Sequence, residues 1–145
     1  NLPAIGGLSL AIIPDPEIRS AFQNKAYGVA THPGALAYAA TLTAFKDCDD
    51  WLLQTINYLR DNRDYLEAQI ADIEGLNMTH AEATFLAWID VSNSGLENPV
   101  STFLEHGIAL SDGTEMGNAD HVRLNFACHR STLEEIVRRL KASLA

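Results

Sequence analysis

The apolar stripe between Asp49 and Ile73 constrains the fold more than any other feature of this chain. Leu52, Ile56, Leu59, Leu66, Ile70 and Ile73 recur at alternating steps of four and three, with Arg63 filling the single gap. The opposite face carries Arg60, Asp61, Asp64 and Glu67. Asp49 or Asp50 is placed to cap this helix and Gly75 to end it. A helix of that length must bury its apolar face, and a sheet is the usual partner.

The strands for such a sheet follow at once. Residues 77–80, 84–91 and 107–110 are candidates. In the second, Phe85, Ala87, Ile89 and Val91 alternate with Leu86 and Trp88, so both faces are apolar and a central position is expected. Asn98-Pro99 opens a short helix to about Glu105. Residues 111–117 read as a glycine-bounded loop.

Beyond that loop comes a strand followed directly by a helix. Val122, Leu124 and Phe126 alternate with Arg123 and Asn125, which places the two polar side chains on one face. Ser131 and Glu134 have the spacing of a capping box. Leu133, Ile136, Val137, Leu140 and Leu144 then share one helical face, with Lys141 near the end suiting the dipole. An arginine on a rigid strand beside an amide side chain is well placed to grip a carboxylate through two parallel hydrogen bonds. On spacing alone, a plain surface ion pair for Arg123 stays open.

The first third has a different organisation. Residues 8–13 are a short apolar run bounded by glycine and proline, which suits a strand buried on both faces. Asp15 as cap, Pro16 in the first turn and Glu17 mark a helix start running to about Lys25. Residues 27–34 form a loop, and the next helix covers about 34–46 with small residues at Ala35, Ala37, Ala39, Ala40 and Ala44. These segments have no sheet of their own. The architecture is therefore expected to change near Cys48, with domains at 1–48 and 49–145.

Composition excludes several functions. The chain has 145 residues and a formal net charge of −9, which argues against nucleic acid and against an anionic membrane surface as partners. No apolar run is as long as a membrane span. Cys48 and Cys128 lie far apart without metal spacing, and two reduced thiols fit a cytoplasmic protein. His32, His80, His106, His121 and His129 show no ligand spacing, so no metal site is expected. No Gly-x-Ser-x-Gly elbow supports a Ser–His–Asp hydrolase. The chain opens on Asn1 rather than methionine, which raises the expectation of a fragment.

Four stretches resemble a known family: Asn1-Leu2-Pro3-Ala4-Ile5; Asp50-Trp51-Leu52 with Tyr58-Leu59-Arg60-Asp61-Asn62; Ala83-Thr84-Phe85-Leu86-Ala87-Trp88-Ile89-Asp90; and Val122-Arg123-Leu124-Asn125-Phe126. Together they resemble the C-terminal part of a fold-type I, pyridoxal-phosphate-dependent aminotransferase of class I/II, in the cystathionine β-lyase-like subgroup of C–S lyases. The sequence has Cys128-His129-Arg130 where that family commonly has Cys-Pro-Arg.

The resemblance implies an α/β protein: a small α+β domain with a mixed sheet covered by helices, preceded by a strand and two helices of the large cofactor-binding domain. It implies a homodimer, with the Thr31-His32-Pro33-Gly34 loop near the dimer contact, and an amino acid as substrate. Arg123 becomes the residue that binds the substrate α-carboxylate, with Asn125 as a support. The Schiff-base lysine is expected upstream of Asn1, so this chain alone is expected to be inactive. Lys25, Lys46 and Lys141 read as solvated lysines, not replacement anchors. Arg123 serves transamination and β-elimination equally and does not choose between them. The competing class is a stand-alone α+β binding or dimerisation module without catalysis.

Overall fold

The computed structural model describes residues 8–30 and 32–144. The chain divides into two compact units, residues 1–53 and 54–145.

In the first unit, helix α1 (Pro16–Ala26) starts where its sequence signals require. The Asp15 carboxylate accepts hydrogen bonds from the Glu17 and Ile18 amides at 2.8 and 3.0 Å. Helix α2 (Ala35–Asp47) follows. Residues 8–13 do not form the expected strand; they take no regular structure, and Leu10 and Ile12 are exposed. An apolar run becomes a strand only when neighbours take up its backbone groups, and no described residue pairs with this one. Residues 1–5 and Thr31, which carry the first family stretch and part of the expected dimer loop, lie outside the described residues.

Helix α3 (Asp49–Ala71) contains the long stripe, and both candidate caps, Asp49 and Asp50, lie inside its first turn. Its second half carries the buried side chains Asn62, Leu66 and Ile70. Gly75 (φ +85°) turns the chain toward the sheet so close to Asn93 and Ser94 backbone that a Cβ would clash.

The second unit is a four-stranded sheet, β1 (Asn77–Thr79), β2 (Leu86–Asp90), β3 (Ser111–Asp112) and β4 (His121–Asn125), with helices α4 (Pro99–Glu105) and α5 (Arg130–Ser143). The strand order is β1-β2-β4-β3. The class is α/β as expected, but the sheet is antiparallel throughout rather than mixed. The connection from β2 through α4 to β3 is long enough to make parallel neighbours. Strand β4 slots between them and runs against both. The third strand also sits at Ser111–Asp112, not at 107–110, because its pairing is with Arg123 and Val122.

Alternation decides the faces. Met78, Ala87, Ile89, Val122 and Leu124 are buried and join Leu66, Ile70, Phe103, Phe126, Leu133, Val137 and Leu140 in one core. Each fully buried leucine or phenylalanine contributes roughly 1.5–3 kcal/mol. On the other face Leu86, Trp88, Asp90, His121 and Arg123 are half-buried and Asn125 is exposed.

Candidate carboxylate-binding site

The half-buried face carries a transverse row of four side chains. The register pairs Thr79 with Trp88, Trp88 with Arg123, and Arg123 with Ser111. Directly paired residues point to the same face of a sheet. Arg123 therefore stands between a half-buried tryptophan and a hydroxyl, on a strand paired along both edges. A second row sets Asn77 beside Asp90 and Asp90 beside His121. The His121 and Trp88 rings stack, with centroids 5.1 Å apart and planes at 19°.

The Arg123 guanidinium is held by neutral acceptors. Nη1 donates to Met116 Sδ at 3.3 Å and Nη2 to Ser111 Oγ at 3.2 Å. Among the described residues no carboxylate pairs with it. The nearby acids are otherwise engaged. Asp112 pairs with Val122, so it faces the other way, and it accepts from the Thr114 amide at 2.8 Å. Thr114 hydrogen bonds hold its carboxyl below the usual range. Asp90 is likewise held low, first by Ser92 and least by the His121 ring.

Other arginines are committed differently. Arg63 pairs with Asp64, and Arg138 and Arg139 both pair with Glu135. Arg130 lies over the Tyr65 ring, 4.5 Å from its centroid, and donates to the Asp61 carbonyl. Arg19 and Arg60 are exposed on helices. Arg123 alone among these is half-buried on a strand with only neutral side-chain acceptors. The plain ion-pair alternative finds no partner among the described residues.

Asn125 Oδ1 accepts from the Ala127 amide at 2.8 Å and fixes the turn after β4. The residue that sequence reasoning missed is Asn62. It is fully buried, and its Nδ2 donates to the carbonyls of Phe126 and Cys128 at 3.0 and 2.9 Å. It ties the exit of the Arg123 strand to α3. The signal was present, since Asn62 lies three residues after Leu59 and four before Leu66 on the apolar face.

His129, not Ser131, caps α5, accepting from the Ser131 amide, and the Arg130 amide donates to Tyr58 Oη at 2.9 Å. His129 has φ −62°, a value proline also adopts, so the departure from Cys-Pro-Arg leaves the turn intact. Burial pushes the Cys128 thiol up, with Arg130 opposing, which leaves it protonated near neutrality.

An open groove of about 530 Å³ lies at the Trp88 end of the row, lined in part by Thr79, Glu82, Leu86 and Trp88. Arg123 is not in its lining. Among the described residues no group of three or more His, Cys, Asp or Glu side chains is placed to hold a metal ion, and no helix is long and apolar enough to cross a membrane.

The fold and the strand that carries Arg123 find close counterparts. Residues 10–140 match the sequence model of the aminotransferase class I and II family, and the chain belongs to that family. It is 34% identical over 112 residues to a cystathionine beta-lyase of Corynebacterium glutamicum, a match covering 75% of this chain and 30% of that protein. It is 31% identical to the cystathionine beta-lyase PatB of Bacillus subtilis, over 97% of this chain and 39% of PatB. The crystal structure of OvoB superposes with a TM-score of 0.87 at 39% identity, covering 92% of this chain and 35% of that one. The chain thus spans about a third of the length of the relatives it matches.

Proposed function

We propose that this chain is the part of a pyridoxal-phosphate-dependent enzyme that grips the α-carboxylate of an amino-acid substrate. The enzyme is an aminotransferase or a carbon–sulfur β-lyase of the cystathionine β-lyase type. Arg123 binds the carboxylate, and Asn62 and Asn125 hold the strand exit that aims it. Residues 1–48 belong to the large cofactor-binding domain and 49–145 to the small domain. The observation that carries the reading is the half-buried guanidinium on a sheet face, offered only neutral acceptors. A carboxylate replaces a thioether and a hydroxyl with two charge-assisted bonds and gains on both. Family membership and the names of the relatives support the reaction class.

The cofactor, when bound, supplies the electron sink for chemistry at the substrate α-carbon. The described residues do not furnish its anchor. Lys25, Lys46 and Lys141 are exposed on helices, and Lys141 donates to Gln69. The 145 residues by themselves are therefore proposed to be inactive. A homodimer is proposed for the whole enzyme, supported by the exposed apolar side chains of α1 and α2.

Steady-state kinetics of the complete polypeptide test the assignment. Arg123→Ala is expected to raise KM for an α-amino acid by about 100-fold, the scale of a lost charge-assisted bidentate contact. Pyruvate release from cystathionine and keto-acid formation separate lyase from transaminase. An unchanged KM in the variant would sink the role of Arg123.

A further inference from the structure

The Arg123 guanidinium leans on a thioether that the fold goes to some length to place. Met116 ends a short 3₁₀ turn, Gly113–Met116. Asp112 caps that turn through the Thr114 amide at 2.8 Å. The Asn118 amide donates back to the Gly113 carbonyl at 2.9 Å, and the Gly117 amide to Thr114 at 3.1 Å. Gly113 lies so close to the carbonyls of His121 and Asn118 that no Cβ fits there. Gly117, at φ +89°, turns the chain away in the left-handed region. The turn is thus pinned against β4, and its last side chain reaches Arg123 Nη1.

Sulfur is a weak acceptor, and a hydroxyl is a neutral one. Together they hold two nitrogens of the fork without neutralising its charge. A glutamate in the place of Met116 would fill the fork from within. An alkyl group would leave Nη1 without its guide.

We propose that Met116 is a positioning residue for Arg123: its thioether steers the guanidinium on the half-buried sheet face and yields to an incoming carboxylate. This rests on the reading of Arg123 as the carboxylate grip. The affinity for the substrate carboxylate is then highest with a weak acceptor at position 116, and falls when the acceptor is removed or strengthened. A weak acceptor guides, and a strong one competes.

The same logic makes the site sensitive to peroxide. Hydrogen peroxide transfers one oxygen to the sulfur; the O–O bond breaks, the sulfur gives up two electrons, and the peroxide leaves as water. The sulfoxide oxygen is a far stronger acceptor than the thioether. Met116 is 40% exposed and Met78 is 8% exposed, and the chain has two methionines. Of the two methionines in this chain, mild peroxide should therefore mark Met116 before Met78.

The test uses the complete polypeptide with its cofactor, and KM and kcat for an α-amino-acid substrate. Met116→Leu should raise KM roughly 3-fold, Met116→Gln roughly 10-fold and Met116→Glu roughly 100-fold, in the order of acceptor strength, with kcat within about 2-fold. Peroxide should raise KM of the unsubstituted enzyme about as Met116→Gln does, with peptide mass mapping placing the added oxygen on Met116. Met116→Leu should be indifferent to it. A merely structural Met116 would not grade KM by acceptor strength while sparing kcat. Unchanged KM across the three variants, beside a raised KM in Arg123→Lys, overturns this proposal alone. Unchanged KM in Arg123→Lys overturns the reading of Arg123 and this proposal with it.

Discussion

The two compact units treat their apolar side chains in opposite ways. In residues 54–145, helices α3, α4 and α5 and strands β1, β2 and β4 bring their apolar side chains into one core, where Leu66, Ile70, Ala87, Phe103 and Leu133 have no exposed surface. In the first unit, Ala37 is the buried apolar residue among those described, while Ile18, Phe22, Leu36, Leu42 and Phe45 are exposed. The second unit thus carries its own hydrophobic driving force. Helices α1 and α2 rest on local signals such as the Asp15 cap, and helices of that length are marginal in isolation. The strand that bears Arg123 therefore takes its rigidity from the core of its own unit. Arg123 stands on a strand paired along both edges within that packed sheet.

Phe103→Ala empties a fully buried position and should cost about 3–5 kcal/mol. In the 145 residues by themselves, Phe22→Ala, at a position 53% exposed, should cost less than about 1 kcal/mol. Urea melts of both variants check this. Equal costs would mean that Phe22 is covered by apolar surface.

A smaller contrast concerns buried polar atoms. Asn62→Ala leaves the carbonyls of Phe126 and Cys128 without their donor but also removes an Oδ1 that is buried with no partner among the described residues, and should cost about 1–2 kcal/mol net. In α2, the Thr41 hydroxyl is buried with no hydrogen-bond partner among the described residues. Thr41→Val removes an unsatisfied group at equal volume and should be neutral or stabilising by up to about 1 kcal/mol. Chemical denaturation reads both. A stabilising Asn62→Ala or a strongly destabilising Thr41→Val would reverse the assignment of which polar atoms are structural.

The same division governs how much was legible in the sequence. Asp15-Pro16 and Asn98-Pro99 declare helix starts chemically, and the structure places α1 and α4 there. Alternation found β2 and β4, and with them the face that bears Arg123. Residues 8–13 misled because an apolar run says nothing about whether a partner strand exists. Strand β3 was misplaced because a two-residue strand has no periodicity; only its pairing to Arg123 and Val122 defines it. Reading Arg63 as the gap in the α3 stripe hid Asn62 beside it. The Met116 contact was out of reach, since it spans seven residues of turn whose path depends on Gly113 and Gly117.

The smallest effect lies at the α5 surface and sharpens the picture of the second unit. Glu135 takes hydrogen bonds from Arg138 and Arg139, which pull its carboxyl from 4.5 down to about 2. Arg139 also donates to the carbonyl of Gly107 at 3.1 Å, so the pair links α5 to the turn after α4. A carboxyl whose pKa is depressed on folding stabilises the fold above its unfolded value. That contribution is complete above about pH 4.5 and fades as pH falls toward about 2. The group is exposed, so the effect is small and screened by salt. Glu135→Gln should therefore lower Tm slightly at pH 7, and the gap from the unsubstituted chain should close between pH 4.5 and 2. A gap that stays constant over that range would mean that the guanidinium contacts do not depend on the carboxylate charge, and that packing of α5 on the core alone sets this edge of the unit.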